Sequence, residues 1–283
     1  MSARDWLELT KPRLTCLVGV TVVAGSYMAG GGARPLAVIA AAVGTALLGG
    51  GSSAMNQAME GEHDARMERT RNRPVAAGRI SWVHATAFGA GLCAAGFAVL
   101  ALTNALTVLL GAISMITYVA IYTPLKRTTA ACTLVGAVPG ALPPVMGVTA
   151  VTGQLSTSAV LLFAILFLWQ LPHFLALCWM LREDYARGGF PMLSVVDPEG
   201  GLLVRQVVLY SLALLPASLL PAMMGVAGTR YFVAALILGI GFLACGSGLV
   251  MTRSAQNARR LFWASLVYLP ALLTFMVTDR MVP

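Results

Sequence analysis

Charge is scarce in this chain. Only 11% of its 283 residues are Asp, Glu, Lys or Arg, whereas an ordinary soluble domain carries about 25%. That shortage excludes a self-sufficient soluble fold. The strict polar–apolar alternation of a membrane β-barrel is also missing. So are paired cysteines: Cys16, Cys93, Cys132, Cys178 and Cys245 never fall in a CxxC or CxxCH spacing. A disulfide framework, a structural zinc site and covalent c-type haem attachment are thereby excluded. No cleavable leader is expected, because the polar stretch Met1–Arg13 runs directly into a full-length apolar segment.

What the chain has instead is long apolar runs. Hydrophobic residues make up 58% of it, and its mean hydropathy is +0.80. Runs able to cross a hydrocarbon core of about 30 Å read as transmembrane helices. Nine are expected, near 14–30, 36–56, 82–103, 105–122, 132–151, 158–181, 203–224, 231–251 and 261–278. The predicted fold class is therefore all-α, a single membrane-embedded domain over residues 1–283. The stretch Gly49-Gly50-Gly51-Ser52-Ser53 should let neighbouring helices approach closely.

Of the 19 Lys and Arg residues, all but Arg34, Arg230 and Arg280 fall at the N-terminus or in the loops after even-numbered spans. Loops rich in Lys and Arg stay in the cytoplasm. The expected setting is the inner (plasma) membrane, crossed many times, with the N-terminus cytoplasmic and the C-terminus outside. This pattern accounts for the net charge of +8 as topology, so no nucleic-acid partner is expected and the lipid bilayer is the surrounding one. Of the 11 acidic residues, only Asp279 lies outside. Acids contribute little to orientation, so their collection on one face needs another cause.

That cause begins after the second span. Asn56, Glu60 and Asp64 are four residues apart. On a helix they line one face at intervals of about 6 Å. Three oxygen-bearing side chains in a stripe suit a hard cation such as Mg²⁺, which takes its other ligands from phosphate and water. Arg66, Arg69, Arg71 and Arg73 follow at once, and guanidinium groups suit bidentate phosphate binding. A solvated juxtamembrane loop would also hold mixed charge. Against that, similar chemistry recurs after spans four (Lys126-Arg127) and six (Arg182-Glu183-Asp184). Three loops on one face could together surround one diphosphate.

The sixth span carries Trp169-Gln170-Leu171-Pro172-His173-Phe174. Ionisable residues inside a span are candidates for function. His173, Met180 and Asp184 are seven and eleven residues apart and would share a helical face. Two readings of His173 stand side by side: a histidine bonded to a neighbouring helix, and a catalytic group or axial ligand of haem iron. His63 sits one residue off the acidic stripe, and His84 lies at an interface.

Taken in order, Leu9-Thr10-Lys11-Pro12-Arg13, the Asn56–Asp64 stripe, Arg69-Thr70-Arg71-Asn72-Arg73-Pro74, Tyr122-Thr123-Pro124-Leu125-Lys126-Arg127, the Trp169–Phe174 run and Glu183-Asp184-Tyr185 through Met192 resemble the UbiA superfamily of intramembrane prenyltransferases. The likeness covers nearly the whole chain and is greatest to the branch that prenylates haem. Two departures from the superfamily pattern fit that branch. Glu60 stands where many relatives have Asp, and His173 takes the place of an upstream Asp in the second motif.

The resemblance implies nine helices around a central cavity open to lipid, with farnesyl diphosphate as donor and haem B as acceptor. It implies Mg²⁺ held by Asn56, Glu60, Asp64 and Asp184, and a diphosphate held by Arg69, Arg73, Lys126, Arg127 and Arg182. Asn56, Glu60, Asp64, Asp184 and Lys126 would be catalytic, and His173 would bind haem. A haem vinyl group would take the farnesyl group and then water, giving haem O and diphosphate. A haem A synthase or the terminal-oxidase assembly machinery would be the protein partner. The competing readings are a prenyltransferase for an aromatic or quinone-precursor acceptor, a membrane transporter, and a non-catalytic assembly factor. His173 and its flanking run weigh against the first. The concentration of charge at one face weighs against the transporter.

Overall fold

The computed structural model describes residues 2–30, 32 and 34–281. After a short leading helix α1 (Ala3–Leu9), the chain forms α2 (Pro12–Met28), α3 (Pro35–Arg66), α4 (Trp82–Leu100), α5 (Ala105–Leu125), α6 (Cys132–Thr152) and α7 (Thr157–Met180). Two short helices, α8 (Arg182–Gly188) and α9 (Leu193–Val196), precede α10 (Gly201–Met223), α11 (Thr229–Thr252) and α12 (Ala255–Thr278). Among the described residues the only β pairing is an isolated bridge, Ala227 with Arg280. The all-helical expectation holds, and this is a multi-pass membrane protein.

Eight of these helices are long and apolar enough to cross a membrane. The ninth expected span is α2, whose 17 residues reach about 26 Å, at the short limit for crossing. Large apolar side chains such as Leu17, Leu36, Leu109, Ile237 and Val267 are exposed. The bundle is thus apolar outside as well as inside, as lipid requires. Prolines sit within α6, α7, α10 and α12, and α7 runs unbroken through Pro172. In α6, Pro143 cannot donate to the Pro139 carbonyl, which instead accepts a bond from the Ser114 hydroxyl of α5 at 3.4 Å.

α3 has 32 residues, about 18 Å more than a hydrocarbon core needs. Its last turns therefore stand clear of the core and carry Asn56, Glu60 and Asp64. Loops 67–81, 126–131 and 181–200 gather around this projection, so the charged segments share one end of the bundle. At the other end the Asp279 carboxylate accepts the Tyr231 backbone N–H at 2.8 Å, and Arg34 donates to the Val151 carbonyl at 2.8 Å.

α3 is held to α4 by backbone approach. A Cβ on Gly51 would lie 2.5 Å from the Gly89 carbonyl and 2.6 Å from Cys93 Sγ, whereas one on Gly49 would meet nothing within 4 Å. Close helix packing through small residues is the common device where lipid supplies no hydrophobic drive. Gly51→Ala should therefore cost about 1–3 kcal/mol through overpacking, seen as a lower Tm in detergent. Gly49→Ala should leave Tm unchanged or raise it.

Candidate active site at the charged end of the bundle

The three stripe residues are almost fully buried: Asn56 is 3% exposed, Glu60 1% and Asp64 1%. A carboxylate buried without a partner gives up its charge or destabilises the fold, and here each has one. Lys126 Nζ reaches Glu60 Oε2 at 3.0 Å and Oε1 at 3.2 Å. Arg73 Nη1 reaches Asp64 Oδ2 at 2.7 Å. Lys126 also lies over the Phe190 ring, 4.2 Å from its centroid, a placement that favours an ammonium.

Local backbone geometry delivers these cations. In α5, residues Thr117–Tyr122 wind as a π-helix, a wide turn that recurs at functional sites. Just beyond it the Thr123 hydroxyl accepts a bond from Asn56 Nδ2 at 3.1 Å, and Lys126 follows within the same turn. On the other side, the Thr70 hydroxyl donates to the Asp64 carbonyl at 2.9 Å, folding the loop back so that Arg73 meets Asp64.

A third cation enters from Lys11, which the spacing of the stripe did not single out. Lys11 caps α2 in the left-handed region, φ 49°. The following Pro12 disfavours right-handed helix there, and the turn directs Lys11 Nζ to within 3.5 Å of Asn56 Oδ1. Burial and the nearby Arg73 push its ammonium down to about 7, against the opposing pull of Glu60. A lysine at the membrane end of a span, in the segment Thr10-Lys11-Pro12-Arg13, was the signal available in the sequence. Gln57 was also missed. It donates to the Leu9 carbonyl at 3.0 Å and so seats the N-terminal segment against α3.

The residues present fit a divalent cation. Asp64 Oδ1 is buried without a hydrogen-bond partner among the described residues, about one turn along α3 from Glu60 and two from Asn56. A hard cation takes such oxygens and completes its shell from phosphate and water. Among the described residues no three His, Cys, Asp or Glu side chains gather as a metal site by themselves, so phosphate oxygens would have to supply the rest.

Asp184 is placed differently from the sequence expectation. α7 ends at Leu181, whose φ of −111° and ψ of 21° break the helix, so Asp184 leaves the face of His173 and Met180. Its Oδ1 accepts the Glu68 N–H at 2.9 Å and Arg187 Nη2 at 2.6 Å, and its Oδ2 accepts the Arg69 N–H at 3.3 Å. The carboxylate anchors the arginine-bearing loop, and the structure does not bring it into the stripe. His63 ties the same parts together, donating from Nδ1 to the Gly188 carbonyl at 2.7 Å.

The remaining arginines also spread. Arg69 is exposed. Arg127 donates to the Met59 carbonyl. Arg182 stacks on Trp179, its Cζ 4.9 Å from the ring centroid. With Glu68, Asp184, Arg187 and Arg253 it lines a cavity of about 330 Å³ whose lining does not include Asn56, Glu60 or Asp64. His173 lies in α7 about 10 Å below Met180, half-buried. It bonds through Nδ1 to Ser265 Oγ of α12 at 2.6 Å.

The rim of this membrane-embedded helical bundle pairs two buried carboxylates with Lys126 and Arg73 and sets Lys11 beside Asn56, an arrangement that can hold an anionic group and its metal. The chain belongs to the UbiA prenyltransferase family, whose pattern it matches over residues 18–269. It is 43% identical to the protoheme IX farnesyltransferase of Solibacter usitatus (strain Ellin6076), across 98% of this chain and 99% of that protein. It is also 43% identical to the protoheme IX farnesyltransferase of Myxococcus xanthus (strain DK1622), across 98% and 95%. The fold matches a solved digeranylgeranylglyceryl phosphate synthase with a TM-score of 0.82 at 16% identity, covering 98% of this chain and 97% of that one. It also matches a UbiA homolog from Archaeoglobus fulgidus bound to GPP and Mg²⁺, with a TM-score of 0.68 at 13% identity, covering 96% and 99%.

Burial opposes the charge of Asp184, but the Arg187 bond and the two backbone N–H groups outweigh it and hold its carboxyl below the usual range. A depressed folded pKa stabilises above the unfolded value of about 3.9 and is lost as pH falls through the folded one. Loop anchoring should therefore survive at pH 5 and fail only in stronger acid. In Asp184→Ala at neutral pH, hydrogen exchange at the Glu68 and Arg69 amides should speed up about 10- to 100-fold, the scale of a lost charged hydrogen bond.

Proposed function

We propose that this chain transfers the farnesyl group of farnesyl diphosphate to a vinyl group of haem B, with addition of water, giving haem O and diphosphate. The observation that carries the reading is the α3 rim. Glu60 and Asp64 are paired there with Lys126 and Arg73, and among the described residues one buried Asp64 oxygen has no hydrogen-bond partner. The identity to protoheme IX farnesyltransferases along nearly the whole chain supports haem B as acceptor and a farnesyl donor. The abundance of Lys and Arg at this end supports its placement on the cytoplasmic face of the inner membrane.

Asn56, Glu60 and Asp64 would hold Mg²⁺, which when bound supplies charge neutralisation at the diphosphate. Lys126, Arg73 and Lys11 then turn from the protein's oxygens to those of the phosphates. They stabilise the charge that grows on the leaving group as the bond from the first farnesyl carbon to oxygen breaks, the kind of interaction that often supplies the largest catalytic term. Arg69, exposed on the loop after α3, and Arg127, bonded to the Met59 carbonyl of α3, would add positive charge for the diphosphate. Asp184 is a positioning residue in this reading, because it holds the loop that presents Arg73. Arg182 is left out, since the cavity it lines takes in none of the stripe residues. The terminal vinyl carbon of haem bonds to the farnesyl carbon, water adds at the carbon next to the porphyrin, and a proton is released. His173, on the inner part of the same bundle, holds the haem and aims its vinyl group. The product would pass to a haem A synthase or to terminal-oxidase assembly.

Purified protein incubated with haem B, farnesyl diphosphate and Mg²⁺ should yield haem O, identified by mass. Removal of the metal with EDTA should stop turnover. Asp64→Asn should lower it at least about 100-fold, the effect of losing one preorganised charge contact, with the protein still folded. Product formed from an aromatic acid and none from haem B would overturn the acceptor assignment.

A further inference from the structure

The ring of His173 has one free edge, and a single proton on α12 accounts for it. Ser265 is fully buried. Its hydroxyl oxygen lies 2.5 Å from the Phe262 carbonyl and 2.6 Å from His173 Nδ1. A serine hydroxyl has one proton to donate and two lone pairs to accept with. The Phe262 carbonyl can only accept, and two oxygens 2.5 Å apart need a proton between them. The Ser265 proton is therefore committed to Phe262. At Nδ1 the hydroxyl can offer only a lone pair, so Nδ1 must carry the imidazole proton. In neutral imidazole one nitrogen bears the proton and the other accepts, which leaves Nε2 as a bare lone pair. Among the described residues Nε2 makes no hydrogen bond.

The ring plane is fixed as well as its protonation. Trp169 stacks on His173 at 5.2 Å and 21°, and Phe262 stacks at 4.8 Å and 26°. The Trp169 indole N–H in turn donates to the Ser265 carbonyl at 2.8 Å. Ser265 thus binds the histidine through its side chain and the histidine's stacking partner through its backbone. A histidine meant only to tie α7 to α12 would need the Ser265 bond alone.

We infer that Ser265 is a positioning residue that holds His173 as the Nδ1–H tautomer and so keeps Nε2 ready to bind the iron of the haem substrate. The nitrogen that binds a metal is chosen by the hydrogen bond the other one makes, and loss of such an outer partner commonly weakens metal binding about 10- to 100-fold. The inference rests on the proposed haem-accepting function.

Two measurements on full-length protein in detergent test it. ¹⁵N NMR of histidine-labelled protein, with the His173 signals assigned by their loss in His173→Ala, should show a protonated Nδ1 and an unprotonated Nε2. In Ser265→Ala, which only removes an oxygen from a packed site, both tautomers should appear. Titration with ferric haem B, followed by the Soret band and by electron paramagnetic resonance, should give a Kd about 10- to 100-fold higher for Ser265→Ala. His173→Ala should lose the histidine-ligand signature. A protonated Nε2 in the unaltered protein would overturn the inference. So would an unchanged haem affinity and spectrum in Ser265→Ala while His173→Ala loses the signature. If His173→Ala keeps the parent spectrum, the ligand role of His173 and the inference fall while the haem-accepting function stands; if the unaltered protein binds no haem B, it is that function that falls.

Discussion

Two carboxylates buried at the end of an apolar bundle must have cations beside them, and the architecture of the charged end follows from that need. Glu60 and Asp64 are almost wholly removed from solvent. Each has a close cationic partner, Lys126 or Arg73. Buried pairs of this kind add little net stability, because desolvation offsets attraction, but removing one member is costly. The π-helical turn of α5, the folded-back loop after α3 and the left-handed Lys11 are the structural means by which three separate segments bring positive charge to one helix face.

The same constraint suits the chemistry. A site whose cations are already paired with its own carboxylates loses little when a diphosphate and its metal arrive, since each partner exchanges one opposite charge for another. In the proposed reaction the groups paired at the rim would also be the groups that stabilise a departing diphosphate. Asp184 works one step removed from that exchange. By taking two backbone N–H groups of the loop after α3, it keeps Arg73 within reach of Asp64. Ser265 stands in the same relation to His173 deeper in the bundle.

Much of this was legible from the residues in order. The apolar runs mark the spans because lipid demands about 20 apolar residues in each. The extension of α3 beyond its span, and the stripe of Asn56, Glu60 and Asp64 on it, follow from a period of four. The close approach at Gly51 follows from the missing side chain. Other features were not legible. Nothing in Met180-Leu181-Arg182 marks a helix end, as no Gly or Pro is present, so Asp184 was expected on the face of His173. The π-helical turn at Thr117–Tyr122 has no composition of its own. Arg182, at the start of α8 beside other candidates, is drawn away by stacking on Trp179.

The sequence by itself determined the membrane setting, the spans, their relation to charge and the residue types available at the rim. These depend on solvent preference and local periodicity, which each segment carries within itself. Only the tertiary structure decided which cation meets which carboxylate, that Lys11 joins them, that Asp184 anchors a loop, and that Ser265 fixes the proton on His173. Those outcomes depend on where helix ends and turns bring segments far apart in the chain, to within about 3 Å, the distance at which hydrogen bonds act.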